Sequence, residues 1–159
     1  MLSVVEFRDI FAEEGAIVVP VNCQGVTGKG VAKDWADRFP AAKVEYQHWC
    51  RDGLLRPGDV ARVVADNREH LLFATKDQWR NPSKKAWVER GIISLLEMSL
   101  NGIITSKTIL LPAVGCGLGG LAWDWLKPVV EGAFAYNALP NDILFIAPLG
   151  VSVKEEVFA

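Results

Sequence analysis

The sequence predicts a single α/β domain in which helices cover both faces of a central, mostly parallel sheet. Two observations carry this prediction: six strand-length runs rich in Val, Ile and Leu, and helical segments that alternate with them along the chain. The length of 159 residues suits one domain, residues 1–159, and no stretch rich in Pro, Gly or Ser divides it. Half of the residues are hydrophobic, which is enough to build a core.

The predicted strands show little polar alternation, as expected of strands that are buried on both faces. In chain order they are Ser3–Phe7, Ala16–Val21, Val60–Ala65, His70–Thr75, Thr108–Leu111 and Ile143–Ala147. Apolar residues at helical spacing predict the helices Gly30–Phe39, Ala42–Asp52, Lys84–Leu100 and Trp125–Leu139. Pro40 separates the first two helices, and Asn81-Pro82-Ser83 marks the start of the third.

Charge and cysteine content exclude several classes of protein. Lys plus Arg number 17 against 19 Asp plus Glu, a formal net charge of -2, so no overall basic field coats nucleic acid. Three widely spaced cysteines do not make a disulfide framework, and free thiols predict a reducing compartment, the cytoplasm. No apolar run reaches the roughly 18 residues of a membrane-spanning helix. Two histidines without ligand spacing predict neither a metal nor another cofactor.

Two glycine-rich segments follow predicted strands and precede predicted helices. The first contains Gly25, Gly28 and Gly30, and the second places four glycines within residues 115–120. In sheets of this kind, ligands bind beyond the carboxyl ends of the strands, and N–H groups of such loops bind anions. Two such loops at one edge would form a cradle for a diphosphate. The alternatives are a tight strand-to-helix turn for the first segment and a flexible connector for the second.

These segments carry a resemblance to a known family. Asn22, the Gly28-x-Gly30-Val31-Ala32 turn and the Gly115-x-Gly117-x-Gly119-Gly120-Leu121 loop, in this order, resemble the macro domain family. Thr75-Lys76-Asp77-Gln78-Trp79-Arg80 adds a similarity to its branch of DNA ADP-ribosyl glycohydrolases (DarG) and terminal ADP-ribose protein glycohydrolases. The resemblance extends from Arg8 to Pro148. It implies a three-layer α/β/α sandwich that binds ADP-ribose across the strand ends.

The resemblance also implies which residues bind ADP-ribose. Asp9 would accept from the adenine amino group and the Ile10 N–H would bind a ring nitrogen, although Asp commonly caps a turn. Asn22 would fix the hydroxyls of the distal ribose, and Pro148 would lie near the adenosine. The distal ribose and the diphosphate would be held by Gly28, Lys29, Gly30, Val31 and Ala32 in the first loop and by Val114, Gly115, Cys116, Gly117, Leu118, Gly119, Gly120 and Leu121 in the second.

Lys76 is the predicted catalytic residue, with Asn22 beside it. It follows an apolar strand, so it should lie at the active edge of the sheet. The resemblance implies that it faces the anomeric carbon of the distal ribose. A neutral amine would attack this carbon, whereas a charged amine would stabilise the leaving group, and the sequence is compatible with both roles. The structural alternative is a solvated lysine at the end of a strand.

The second loop departs from one part of this branch. Gly119 stands where the terminal ADP-ribose protein glycohydrolases carry an acidic residue, which favours the DarG pattern, whose loop also reads Gly-Gly-Leu. DarG carries a further domain after its macro domain, whereas this sequence ends at Ala159. We therefore expect a free-standing domain that acts as a monomer, without toxin neutralisation through that further domain.

The segment from Lys76 to Arg90 contains five basic and two acidic residues, a local charge of +3 in a chain that is net negative. Basic side chains position phosphates, and aromatic faces stack bases. The segment therefore predicts contacts with single-stranded DNA through Trp79, Arg80, Lys84 and Lys85. An ordinary solvated helix face fits the same pattern equally well.

The leading functional expectation is a hydrolase that removes ADP-ribose from modified nucleic acid, from a thymidine base in the manner of DarG. The first alternative is another hydrolase with the same pocket, either an ADP-ribose 1″-phosphate phosphatase or an enzyme that removes ADP-ribose from protein. The second alternative is a non-catalytic ADP-ribose reader. An unrelated Rossmann-like nucleotide binder is disfavoured, because no GxGxxG follows a predicted strand.

Overall fold

A computed structural model describes all 159 residues and contains one seven-stranded sheet. The strands are β1 (Leu2–Val5), β2 (Ala16–Asn22), β3 (Val60–Ala65), β4 (Arg68–Lys76), β5 (Thr108–Leu111), β6 (Asp142–Ile146) and β7 (Glu156–Phe158). They lie in the order β3-β4-β2-β5-β6-β1-β7. The five central strands are parallel, and the edge strands β3 and β7 are antiparallel to their neighbours. The predicted mixed, mostly parallel sheet is confirmed.

Helices cover both faces of this sheet. They are α1 (Gly30–Arg38), α2 (Pro40–Arg51), α3 (Lys85–Leu100) and α4 (Trp123–Phe134), with a short 3-10 helix at Ile10–Ala12. Side chains of β4 alternate between two cores: Phe73 packs with α3 and α4, whereas Leu72 packs with α1 and α2. The predicted three-layer α/β/α sandwich is therefore confirmed. None of the four helices has both the length and the apolar character that a membrane span requires.

Several predicted boundaries differ from the structure. The first strand begins at Leu2 and ends at Val5 rather than covering Ser3–Phe7. The last helix begins at Trp123 and ends at Phe134, earlier at both ends than the predicted Trp125–Leu139. Its end coincides with a local cap, because the Asn137 amide donates to the carbonyl of Ala133. The 3-10 helix and β7 have three residues each, too few for periodicity to predict.

The parallel strands place the predicted site residues at one edge. Because the five parallel strands share a direction, their carboxyl ends meet there. Asn22 ends β2 and Lys76 ends β4, and the two residues are register partners after an irregularity between Val21 and Asn22. The second glycine loop leaves β5 at this edge, and Pro148 follows β6. The sheet therefore brings together segments that are far apart in the sequence.

Candidate functional site

The turn after β2 is built around the side chain of Asn22. Its Oδ1 accepts from the backbone N–H of Gln24 (2.9 Å) and of Val26 (3.3 Å), and its Nδ2 donates to the Val26 carbonyl (2.8 Å). The hydroxyl of fully buried Tyr46 lies 2.7 Å from the Asn22 carbonyl oxygen and 3.0 Å from Oδ1. Asn22 thus shapes the turn from within. One N–H of its amide is left for a ligand, so the predicted direct role at the ribose is reduced to that donor.

Beyond this turn, the first glycine loop presents a run of unbonded N–H groups. The first residues of a helix have no acceptor in the preceding turn, and α1 has no side-chain cap. Gly30 has φ +65°, a left-handed conformation that favours glycine. The backbone N–H groups without an acceptor in the protein are those of Thr27, Gly28, Lys29, Gly30, Val31 and Ala32. Five of these six residues are ones that the sequence analysis assigned to the ligand, and Thr27 is the sixth.

The second glycine loop is held in shape by its own backbone. Its internal bonds are Val114 N–H to Pro112 O, Cys116 N–H to Ala113 O, Gly120 N–H to Gly117 O and Leu121 N–H to Gly115 O. These bonds are those of a defined series of turns and argue against the flexible connector. The N–H groups that remain without an acceptor are those of Gly115, Gly117, Leu118 and Gly119. Successive free N–H groups of this kind form an anion-binding concavity.

The two loops approach each other across the sheet edge. The Leu118 side chain is 66% exposed, and its Cδ1 lies 3.6 Å from the position that a Cβ on Gly30 would occupy. The two loops are therefore neighbours at this edge, and the space between them, which Leu118 borders, is the candidate cleft. An oxyanion between these loops would meet N–H donors from both sides.

Lys76 lies beside this cleft in an environment that disfavours its charge. The side chain is half-buried, makes no ion pair and donates from Nζ to the carbonyl of Trp79 at 3.3 Å. Burial lowers the pKa of Lys76 from its ordinary value. A fully solvated lysine at a strand end would show neither the burial nor the lowered pKa. The ammonium form of Lys76 is therefore less favoured here than in water.

The segments predicted to hold an adenosine lie after the adjacent strands β1 and β6. The Asp9 carboxylate accepts from the Phe11 N–H at 3.0 Å, so it does cap the 3-10 helix, as the structural alternative stated. Its second oxygen has no partner, and the Ile10 N–H has no acceptor in the protein. Pro148 follows Ala147, whose N–H donates to the Val5 carbonyl at 2.9 Å. The unbonded polar groups of Asp9 and Ile10 and the residue Pro148 thus follow two paired strands.

The basic segment pairs its cations with tryptophan rings. Arg80 lies 4.9 Å from the ring of Trp79, and Lys84 lies 4.9 Å from the ring of Trp87. Lys85 lies 5.4 Å from the Trp125 ring. All three cations are exposed, and none has a carboxylate within 4.0 Å. This face is therefore positively charged, and Trp79 is 43% exposed within it.

Ser83 connects the basic segment to the second loop, a contact that the sequence analysis did not predict. The Ser83 N–H donates to the Gly119 carbonyl at 3.0 Å, and its buried hydroxyl has no hydrogen-bond partner. A Cβ on Gly119 would lie 2.4 Å from the Ser83 Oγ and 2.5 Å from the Gly115 carbonyl oxygen. This crowding leaves no room for a side chain at Gly119. The loop in its present shape therefore has no space for the acidic residue that the terminal ADP-ribose protein glycohydrolases carry at this position.

The cysteines near the cleft are unsuited to nucleophilic chemistry. Burial, reinforced by Asp77, raises the pKa of the Cys23 thiol to about 12. Burial raises the pKa of Cys116 to about 11. Because the thiolate is the reactive form, both residues are unreactive at neutral pH. They act as small packing residues, and Lys76 is left as the candidate nucleophile.

Two open depressions of about 410 and 520 Å³ lie near the amino ends of the strands, beside residues 11–15 that lead into β2. None of the predicted site residues lines them. Two of their charged side chains are committed to structural bonds: Arg68 donates to backbone carbonyls of residues 11–15, and Glu69 accepts from Arg62 and Ser106. The carboxyl edge is therefore the better candidate site.

Comparison with known proteins agrees with this geometry. The model of the macro domain family matches residues 18–129. The DNA ADP-ribosyl glycohydrolase of Mycobacterium tuberculosis is 34% identical over 146 residues, which cover 89% of this chain and 40% of that protein. The chain thus spans about two-fifths of the length of the curated relatives it matches.

Solved structures show the same fold. The macrodomain of Mycobacterium tuberculosis DarG has a TM-score of 0.83 and 29% identity, covering 93% of this chain and 97% of that one. Thermosipho africanus DarTG, solved in complex with ADP-ribose, has a TM-score of 0.82 and 29% identity, covering 96% of this chain and 43% of that one. The family match, the sheet and the paired glycine loops lead to one conclusion: this chain belongs to the macro domain family.

Proposed function

We propose that this chain is a hydrolase that removes ADP-ribose from modified DNA, with Lys76 as its catalytic residue. One observation carries the proposal: a half-buried lysine without an ion-pair partner lies beside two glycine loops that have six and four unbonded N–H groups. Similarity to DNA ADP-ribosyl glycohydrolases supports the choice of reaction. Similarity to a DarTG solved with ADP-ribose supports the choice of ligand.

In this proposal, ADP-ribose lies along the carboxyl edge of the sheet. The diphosphate takes the N–H groups of both glycine loops, because helix-start and loop amides stabilise anions without a metal. The adenine lies near Pro148, where the free oxygen of Asp9 and the Ile10 N–H are available to it. The distal ribose then lies between Lys76 and the one remaining Asn22 N–H.

The lowered pKa of Lys76 favours the nucleophilic role over stabilisation of the leaving group. The neutral Nζ forms a bond to the anomeric carbon while the bond from that carbon to the thymidine base breaks, and the electron pair leaves with the base. Water then hydrolyses the lysine adduct, which frees ADP-ribose and regenerates the amine. The rate should therefore rise with pH through the pKa of Lys76.

The basic segment supports single-stranded DNA as the carrier of the modification. Arg80, Lys84 and Lys85 are exposed and have no carboxylate partner, so their charges are available to phosphates, and the partly exposed Trp79 ring is available to a base. Release of ADP-ribose from an oligonucleotide should then slow as salt rises.

The test is ADP-ribose release from a thymidine-ADP-ribosylated single-stranded oligonucleotide by wild type and by Lys76→Ala. We expect release by wild type and a loss of at least roughly a hundredfold in kcat for the variant, since a covalent catalyst is removed. Calorimetry should show that the variant still binds ADP-ribose. Binding without release from DNA would favour a reader, and release from ADP-ribosylated protein or ADP-ribose 1″-phosphate alone would favour the other hydrolases.

A further inference from the structure

Trp79 is held through both of its backbone polar groups. Its N–H donates to the side-chain oxygen of Gln24 at 3.0 Å, and its carbonyl accepts from Nζ of Lys76 at 3.3 Å. Gln24 in turn donates its own N–H to Oδ1 of Asn22 at 2.9 Å. Asn22 is anchored by the hydroxyl of Tyr46, which is fully buried. An unbroken series of hydrogen bonds thus connects the core to the candidate catalytic amine.

The sheet does not hold this part of the chain. The β2–β4 ladder becomes irregular between Val21 and Asn22 and ends at the Asn22–Lys76 pair. Beyond it, residues 77–80 are connected to the β2 turn by two bonds, the Cys23 N–H to the Asp77 carbonyl (3.0 Å) and the Trp79–Gln24 bond. The Gln24 bond holds the N–H of Trp79, the residue whose carbonyl accepts from Lys76.

From this geometry we propose that Gln24 is a positioning residue for Lys76. Its side-chain oxygen fixes Trp79 through the backbone N–H, and the Trp79 carbonyl then holds Nζ beside the cleft. A lysine stem has four rotatable bonds, so without this acceptor Nζ moves into solvent. The inference rests on the proposed function of Lys76. Gln24 touches no reacting atom and acts through Trp79 alone.

Two variants separate this role from general damage to the loop. Gln24→Met keeps the length of the side chain but removes the acceptor, whereas Gln24→Glu keeps an acceptor oxygen. Gln47→Met is the matched control, because Gln47 is also exposed and also bonds the β2 turn, from Nε2 to the Gly25 carbonyl at 3.3 Å. The Gln47 bond does not reach residues 76–80. Since Gln24 is exposed, all three proteins should fold.

The first readout is catalytic. Gln24→Met should lower kcat for ADP-ribose release by roughly ten- to hundredfold, the effect of a misplaced catalytic group, with the ADP-ribose Kd within about twofold of wild type. Gln24→Glu should recover most of this loss, and Gln47→Met should match wild type. Equal losses in Gln24→Met and Gln47→Met would show that any change in the loop is harmful, and would overturn the proposal.

The second readout does not depend on turnover. Lysine-labelled protein is titrated by NMR, and the Lys76 signal is assigned by its absence in Lys76→Ala. Gln24→Met should move the midpoint toward that of a solvated lysine, and Gln47→Met should not. An unchanged midpoint in Gln24→Met overturns the positioning role even if Lys76 is catalytic. A shifted midpoint with full activity in Lys76→Ala would instead sustain the positioning role and refute the proposed function.

Discussion

Gly119 is the residue at which the second glycine loop meets the basic segment. A Cβ there would lie 2.5 Å from a backbone oxygen of Gly115, which cannot move aside as a flexible side chain does. Gly119→Ala should therefore destabilise the protein by about 1–3 kcal/mol and weaken ADP-ribose binding. Gly117→Ala is the matched control two residues away, since nothing lies within 4 Å of its Cβ position. Thermal unfolding and calorimetry of the two variants would check this, and equal melting temperatures would contradict it.

Individual residues of the site also differ in whether the sequence could predict them. The glycine loops, Asn22 and Lys76 stand in short motifs, so spacing and family resemblance could assign them. Gln24, Tyr46 and Ser83 have no such signal. Tyr46 meets Asn22 across 24 residues and Gln24 meets Trp79 across 55, contacts that only the folded sheet creates. Asn22 was predicted beside the ribose, but its Oδ1 is engaged by the turn.

At the scale of elements, α3 packs against β4 through a glycine. A Cβ on Gly91 would lie 2.1 Å from the Phe73 ring, which is fully buried. Gly91→Ala should therefore destabilise the protein by about 1–3 kcal/mol or more, because the ring has no space to move into. Gly132→Ala in α4 should have the opposite sign. Nothing lies near its Cβ position, so alanine should stabilise the helix by about 0.5–1 kcal/mol.

Urea unfolding of both variants beside wild type measures this difference. The two variants control for each other, because each adds one methyl group to a helix and only the surroundings of that group differ. A stabilising Gly91→Ala would mean that α3 does not approach β4 as closely as the structure has it. A destabilising Gly132→Ala would point to a contact of α4 that the structure lacks.

Elements also differ in how far the sequence predicts them. Long apolar runs such as β4 were found because burial on both faces leaves a continuous hydrophobic signal. The end of α4 was missed because apolar Leu139 continues the pattern after the Asn137 cap has ended the helix. The edge strand β7 depends on pairing with β1 and has no strong pattern of its own. Periodicity thus predicts packing, whereas caps and edge pairing depend on single contacts.

At the scale of the whole molecule, His70 connects stability to pH. It is fully buried between two partners: Trp35 Nε1 donates to its Nδ1 at 2.9 Å, and its Nε2 donates to the Ala65 carbonyl at 3.0 Å. Both ring nitrogens are engaged in the neutral tautomer, so a second proton on Nδ1 would displace the Trp35 bond. Burial, opposed by the Ala65 bond, lowers the pKa of His70, with Arg68 acting in the same direction as burial and Asp66 and Glu45 opposing it.

The sign of the pH dependence follows from this shift. Below an ordinary histidine pKa of 6.5, the unfolded chain takes up a proton that the folded chain refuses. The free energy of unfolding should therefore fall as the pH drops from 7.5 to 5.5, by up to about 1.4 kcal/mol per unit below 6.5. Glu69 does not contribute in this range, because its lowered pKa makes its contribution fall only below about 4.5. Urea unfolding at pH 7.5, 6.5 and 5.5 measures the slope.

Two histidine variants assign this slope to one residue. His70→Gln should be less stable at pH 7.5, because it loses the imidazole contacts with Trp35 and Phe39, but its stability should not change between pH 7.5 and 5.5. His48→Gln alters an exposed residue of α2 and should keep the wild-type slope. A slope that persists in His70→Gln would place the titrating group elsewhere. A slope confined to chains that retain His70 would show that this buried imidazole, which packs beneath α1, lowers the free energy of unfolding as the pH falls from 7.5 to 5.5.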